Sequence, residues 1–506
     1  MLNNGKASIP KKSVSNRTSD KKGIQTKSKA IQKKKPVNKF NTSMQVSEST
    51  NVLSEIRELL VIQPYAGMFL RALGPKGDLN DLITTLETDP NFKKFDCFGS
   101  HERAIMYAND LAGLGLIESL LARQKEPITD IGFNSNGFLT IETTEKKYVY
   151  GNQPGQPKIT RKAIESLVFR LAQQEGSTGK SFTATNPLFN GSKVLGDGGS
   201  MYYLRVSSNH EVVAPEGITM SIRVSRPRLA ITKQNFNFSA PFNDKVNTWN
   251  FLALLVQSHC NILLSAETGA GKTEFQKMLI GFISTEDRII TVEDTVEMHL
   301  TKLYPKKDIF SWLTNENVSV TDLIKQALRN NPKWLIIAET RGSEAYEMFQ
   351  GVKSDHCIIT TLHAASNLAV PSRFTGMASM GYNINEEKTE RDFLRYMHIG
   401  IHLTKQFVPL GNGRSRIMRY VDEIAEFVPE SSKYPDGINV LLKQHIGRDG
   451  MRSCWLGAPS EKLKDQIFRQ TDIDLDKMRS DGRTMGEYLW PSDIYTKDNP
   501  LKEKVY

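Results

Sequence analysis

The chain has 506 residues, a formal net charge of +10 and 39% hydrophobic residues, enough for two or three domains with separate cores. No apolar run approaches the roughly 18–20 residues of a membrane span, and the basic N-terminus lacks the apolar core of a secretory signal. Cys97, Cys260, Cys357 and Cys454 lie far apart with no C-x-x-C pair, which points to reduced thiols in a cytoplasmic protein and excludes a disulfide framework or zinc knuckle.

In chain order, residues 1–45 predict a disordered basic tail. Residues 1–39 carry eleven Lys and one Arg against Asp20 alone, so the whole net excess sits there. A Ser/Lys/Asn/Gln-rich segment of this kind buries too little apolar surface to offset ordering entropy. It is either a solvated tail or a tether to acidic lipid head groups or nucleic acid, and nothing in it separates those two partners.

Residues 46–126 predict a helical segment, with apolar and charged positions at helical spacing in Val52–Leu60 and Ala104–Leu121. Residues 127–225 predict an α+β domain. Its strands are Ile128–Phe133, Phe138–Thr143, Lys147–Tyr150, Tyr202–Ser207 and Thr219–Val224, with a helix over 160–175 and an Asn-Ser-Asn-Gly turn after the first strand. Residues 226–244, with Pro227 and Pro241, predict a hinge linker.

Residues 261–274, NILLSAETGAGKTE, predict a strand running into a phosphate-binding loop and a helix. Gly269 and Gly271 let the backbone turn its N–H groups toward an anion. Lys272 brings a charge to the phosphates, and the Thr273 hydroxyl suits Mg²⁺. Thr268, Ala270 and Glu274 complete the expected loop contacts. Ala266 stands where the full G-x-x-x-x-G-K-[ST] pattern has Gly, and its methyl is expected to slow hydrolysis without abolishing binding. After it, Phe275, Met278, Leu279 and Phe282 give a helix an apolar face.

Three further apolar strands end in polar groups. Arg288–Val292 leads to Glu293-Asp294, Trp334–Ala338 to Glu339-Thr340-Arg341-Gly342, and Cys357–Thr361 to Leu362-His363. Continuous Ile/Val/Leu runs suit a parallel sheet buried on both faces, where ligands bind beyond the carboxyl ends of the strands. Thr321 and Ser343 are expected to cap the intervening helices. Phosphoryl transfer needs positioned charge, so Glu293 and Glu339 are the candidates to orient water, and His363 to sense phosphate or brace Glu339.

The series AETGAGKT (266–273), RIITVEDTVEM (288–298), ALRNNPKWLIIAETRGSEA (327–345) and TTLHAASN (360–367) closely resembles the secretion-ATPase superfamily of type II and type IV secretion, conjugation and pilus assembly. In that family's terms these are the Walker A loop, the Asp box, a Walker B with Glu for Asp, and the His box. ITDIGFNSNG (128–137), GITMSIRVSRP (217–227) and RIMRYVDEIAEF (416–427) are similar to flanking segments, so the resemblance covers roughly 128–445. Only Cys454 follows the His box, so the four-cysteine module of the larger pilus motors is absent, and the chain looks most like VirB-type conjugation ATPases and CpaF-like pilus motors.

The resemblance implies an α/β fold: a RecA-like P-loop domain with a mainly parallel sheet over 245–445, preceded by the α+β N-terminal domain and the basic tail. Residues 446–506 form a C-terminal extension without a match. It also implies ATP and Mg²⁺, a homohexameric ring, membrane-embedded partners of a secretion or pilus machine, and a cytoplasmic, membrane-peripheral location. Arg205 and Arg223 would reach the phosphates, Arg341 would act between subunits or as a sensor, Glu293 would be the general base, and Glu339 would organise Mg²⁺ and water. Two other readings stay open: a nucleic-acid motor using the basic tail, and a nucleotide-binding scaffold with little turnover.

Overall fold

The computed structural model describes residues 45–72, 79–111, 115–123, 126–150, 167–168, 171, 182–195, 201–241, 247–411, 414–476 and 501–504. The expected basic tail and most of the 160–175 helix lie outside them. The chain divides into two units, Met1–Thr50 and Asn51–Tyr506; of the first, only the opening of a helix, Gln45–Leu60, is described. Everything below concerns the second unit.

Short helices follow: Ala66–Ala72, Asn80–Thr88, His101–Leu111 and Leu116–Arg123. Leu82, Leu86, Phe92, Tyr107 and Leu111 bury together in a core of their own. Each such side chain removed from water contributes ~1.5–3 kcal/mol, which holds these short helices where propensity alone would not.

Six strands then form an antiparallel sheet: β1 (Ile128–Phe133), β2 (Leu139–Thr143), β3 (Lys147–Val149), β4 (Leu188–Leu195), β5 (Tyr202–Asn209) and β6 (Thr219–Ser225), in the order β3-β2-β1-β6-β5-β4. Gly137, at φ +79°, closes the β1–β2 turn. Period-two alternation sends Ile131, Leu204 and Ile222 into one core, while Asp130, Arg205 and Arg223 share the other face. β4 is a strand that the sequence reading did not place. Full pairing with β5, through Gly191 opposite Val206, overrides the low strand propensity of glycine.

The second sheet has ten strands: β7 (Ile262–Ala266), β8 (Ile289–Glu293), β9 (Ile309–Leu313), β10 (Trp334–Ile337), β11 (Cys357–Leu362), β12 (Ile399–Gly411), β13 (Arg414–Phe427), β14 (Ile438–Ile446), β15 (Met451–Leu456) and β16 (Leu501–Lys504). Six run parallel in the order β12-β7-β11-β10-β8-β9, and β13 to β16 continue the β12 edge antiparallel. This is the expected α/β P-loop fold with a mainly parallel sheet. Every residue of β7, β8, β10 and β11 is buried. Alternation divides them between two cores: Ile262, Leu264 and Ile336 on one face, Leu263, Leu335 and Ile337 on the other.

Two details differ from the sequence reading. Ser319, not Thr321, caps helix Val320–Ala327, because only Ser319 has an acidic partner three residues on, Asp322, to complete the reciprocal capping pair. Ser343 occupies the cap position of Glu344–Lys353 but makes no side-chain cap; Glu344 instead accepts the Arg341 and Gly342 N–H groups. Past residue 445 the chain stays on the same sheet. Helix Glu461–Thr471 adds Leu463 and Ile467 to the core, and the Lys462 ammonium donates to the carbonyls of Leu394, Met397 and Phe427.

Candidate nucleotide site

β7 is flanked by β11 and β12, so the loop leaving it opens at the carboxyl edge of the parallel strands. Gly269 and Gly271 take φ of +78° and +98°, values that only glycine adopts without strain, and Gly271 opens helix Lys272–Gly281. The first-turn amides of that helix, at Lys272, Thr273 and Glu274, form the positive end of its dipole. Ala266 is fully buried in a core that also takes in Ala270 of the loop, and it does not line the cavity.

The Lys272 ammonium lies 3.3 Å from the Ala266 carbonyl and 3.2 Å from Nε2 of His363. Burial lowers its pKa to about 8, partly offset by Glu339, while Arg223 and Arg341 push it down further. Nδ1 of His363 donates to the Ala266 carbonyl at 2.8 Å, which turns Nε2 toward Glu339, 3.1 Å away. Glu339 also accepts from Arg341 Nη2 at 2.5 Å. Burial alone would raise the Glu339 carboxyl; the Arg341 bond and the charges of Lys272 and His363 outweigh it and hold the group below its usual range. Arg341 reaches on to Asp294 at 3.2 Å, linking the ends of β8 and β10.

Glu293 is placed differently. It is 2% exposed, and its carboxylate accepts the N–H groups of Glu297 (3.1 Å) and Met298 (3.0 Å). Burial raises its pKa. It therefore lies beneath the cleft wall, pinning the segment that carries Asp294, and does not line the cavity.

A cavity of about 590 Å³ opens between the two sheets. Thr268, Gly269, Ala270, Gly271, Lys272, Thr273 and Glu274 line one side, with Glu339, Arg341 and His363. Arg205 and Arg223 line the other, directly opposite each other on β5 and β6. Arg205 meets Thr295 (3.3 Å) and Glu297 (3.4 Å), and Arg223 meets Asp130 (3.5 Å). All the expected site residues but Glu293 thus converge. Glu274 also reaches the linker, accepting the Ala230 N–H at 3.3 Å and the buried Lys277 ammonium at 2.6 Å.

Among the described residues no group of three or more His, Cys, Asp or Glu gathers as a metal cage. Thr273 and Glu339 offer one hydroxyl and one carboxylate. That sparse oxygen set fits Mg²⁺, which keeps its waters and takes the remaining ligands from phosphate.

The family model described as Type II/IV secretion system protein matches residues 201–389, which hold the loop and all three acidic and His-bearing strand ends. An uncharacterized protein of Bacillus anthracis is 36% identical over 371 residues, 72% of this chain and 78% of that protein. The chain belongs to the type II/IV secretion system protein family. A putative conjugal transfer protein of Mycobacterium tuberculosis is 28% identical over 279 residues, 54% of this chain and 75% of that one. The type IV secretion system protein PtlH of Bordetella pertussis is 37% identical over 133 residues, 25% of this chain and 39% of PtlH.

Sequence reasoning missed several residues of this secretion-family site. Arg226 and Arg228 of the linker and Arg416 and Arg419 of β13 also line the cavity. The segment 416–427 is among those that the family resemblance covers, and its period-two pattern could have placed Arg419 on the same face as Ile417 and Val421. No local signal says that this face meets the phosphate loop.

Proposed function

We propose that this chain hydrolyses ATP with Mg²⁺ and works as a ring-forming, hexameric motor at the cytoplasmic side of a membrane, driving a type IV secretion, conjugation or related pilus machine. The convergence of Lys272, Glu339, Arg341 and His363 at one sheet edge, facing Arg205 and Arg223 across a single cleft, carries the reading. Family membership and the names of its relatives point the same way. Among the described residues no helix is long and apolar enough to cross a membrane.

Lys272 and the loop amides bind the phosphates of ATP, while Arg205 and Arg223 neutralise charge that develops on the transferred group. When bound, Mg²⁺ would be held by Thr273 and Glu339 and would supply further charge neutralisation. Glu339 orients the attacking water, with His363 fixing its rotamer. Arg341 must loosen from Glu339 for this, which suits a residue that answers to a neighbouring subunit. Glu293 takes up the base role only on leaving the Glu297 and Met298 amides; until then it shapes the Asp294 segment. We take residues 127–225 and 245–445 as the two lobes, closing on ATP through the 226–244 linker.

ATP turnover of the full chain beside Lys272→Ala, with mass by light scattering, tests the reading. Turnover in a ring-sized species, lost in the variant, supports it. Turnover equal in both chains refutes it.

A further inference from the structure

We propose that Arg419, anchored by Glu142, is a positioning residue that sets the phosphate loop in its nucleotide-accepting form and ties that loop to the N-terminal sheet. The inference rests on the nucleotide reading above and deepens it.

Arg419 uses its planar fork on three partners. Nε donates to the Gly269 carbonyl at 2.7 Å, Nη1 to the Thr144 carbonyl at 2.8 Å, and Nη2 to Glu142 Oε1 at 3.0 Å. The first partner is in the phosphate loop; the other two are at the end of β2 and just after it. Lys405, directly across from Arg419 on β12, meets the same carboxylate oxygen at 2.5 Å. The side chains are well shielded: Arg419 is 22% exposed, Glu142 12% and Lys405 13%. Shielding gives charge-assisted bonds weight that they lack at a surface.

The bond to Gly269 has a consequence for the neighbouring amide. A trans peptide is planar, so the Gly269 carbonyl and the Ala270 N–H point in opposite directions. Gly269 is conformationally permissive and does not fix this plane by itself. Arg419 fixes it from outside. The Ala270 N–H is left with a long contact to the Glu267 carbonyl, 3.4 Å, which an anion readily replaces. A Cβ on Gly269 would stand 3.3 Å from the Lys405 ammonium and one on Gly271 3.8 Å from Arg419 Cδ, so both cations press against the outer side of the loop. Two cations share one carboxylate behind the loop, where phosphate charge must be balanced.

The test is ATP affinity by calorimetry on the full-length chain, with thermal melting as the folding check. Arg419→Gln is expected to bind ATP about tenfold or more weakly, the scale of a lost charge-assisted bond. Arg419→Lys keeps the charge but loses the fork, and is expected to recover only part of the loss. Full recovery by Lys would overturn positioning in favour of general electrostatics. Glu142→Gln provides a variant that leaves loop and arginine in place. Removing an anion from the site should tighten ATP if only charge mattered, whereas loss of the anchor should weaken it by about threefold. Unchanged or tighter binding in Glu142→Gln, or wild-type affinity in Arg419→Gln, overturns the inference while the nucleotide reading stands. No ATP binding by the unsubstituted chain brings down both.

Discussion

Raising the pH should weaken ATP binding through one group, Lys272. Burial brings its pKa from 10.5 down to about 8; Glu339 opposes that shift, and Arg223 and Arg341 add to it. A bound polyphosphate favours the ammonium, so the pKa climbs on binding and ATP draws in a proton above pH 8. If only the ammonium grips the phosphates, the competent fraction falls from about 0.9 at pH 7 to about 0.1 at pH 9, a roughly tenfold loss of affinity worth ~1.4 kcal/mol. Folding stability runs the other way. Between about 8 and 10.5 the unfolded chain holds more protons than the folded one, so the cost of burying the ammonium is relieved as pH rises through that window. Calorimetric titration at pH 7, 8 and 9, in buffers of different ionisation enthalpy, reads affinity and proton uptake together. Lys272→Arg is the control, because guanidinium does not titrate in this range and its profile should be flat. Equal affinity at pH 7 and 9 without proton uptake would refute the reasoning.

Other outcomes follow from the same geometry. Glu339→Gln should cut turnover by about 10²- to 10⁴-fold while ATP still binds, since it removes a water-orienting carboxylate and a negative charge together; normal turnover in a single-site assay would exclude this role. Ala266→Gly should leave turnover within about twofold and cost ~1–2 kcal/mol of stability, because a methyl buried in the core is lost and the backbone gains freedom. A marked gain in turnover would mean that the methyl does reach the loop. Lys462→Met should lose about 2–4 kcal/mol in urea unfolding, since three carbonyls lose their shared donor. Burial lowers the Lys462 pKa to about 8, so between about pH 8 and 10.5 the cost of holding its ammonium in the fold is relieved and stability should rise with pH. A loss below about 0.5 kcal/mol would mean that water replaces the cap.

The phosphate loop, the strand-end acids and the alternation in β1, β2, β5 and β6 were legible because each is a local pattern: glycine where φ must be positive, a period of two, an apolar run ending in a charge. Such patterns place a residue at a sheet edge or on a face. They do not say which edge or face meets which. Glu293 and Glu339 have the same local signature, yet the first is folded under the Asp294 segment and the second opens on the cleft. The difference lies in whether nearby backbone amides claim the carboxylate. Gly191 carries no strand signal of its own until β5 pairs with it. Arg419 and Gly269 stand 150 residues apart, and their contact exists only because β13 follows β12 on the sheet beside β7 and the N-terminal sheet closes over both. Local chemistry thus determined which residues could handle a phosphate; strand order and register, set by burial across the whole sheet, decided which of them share one cavity.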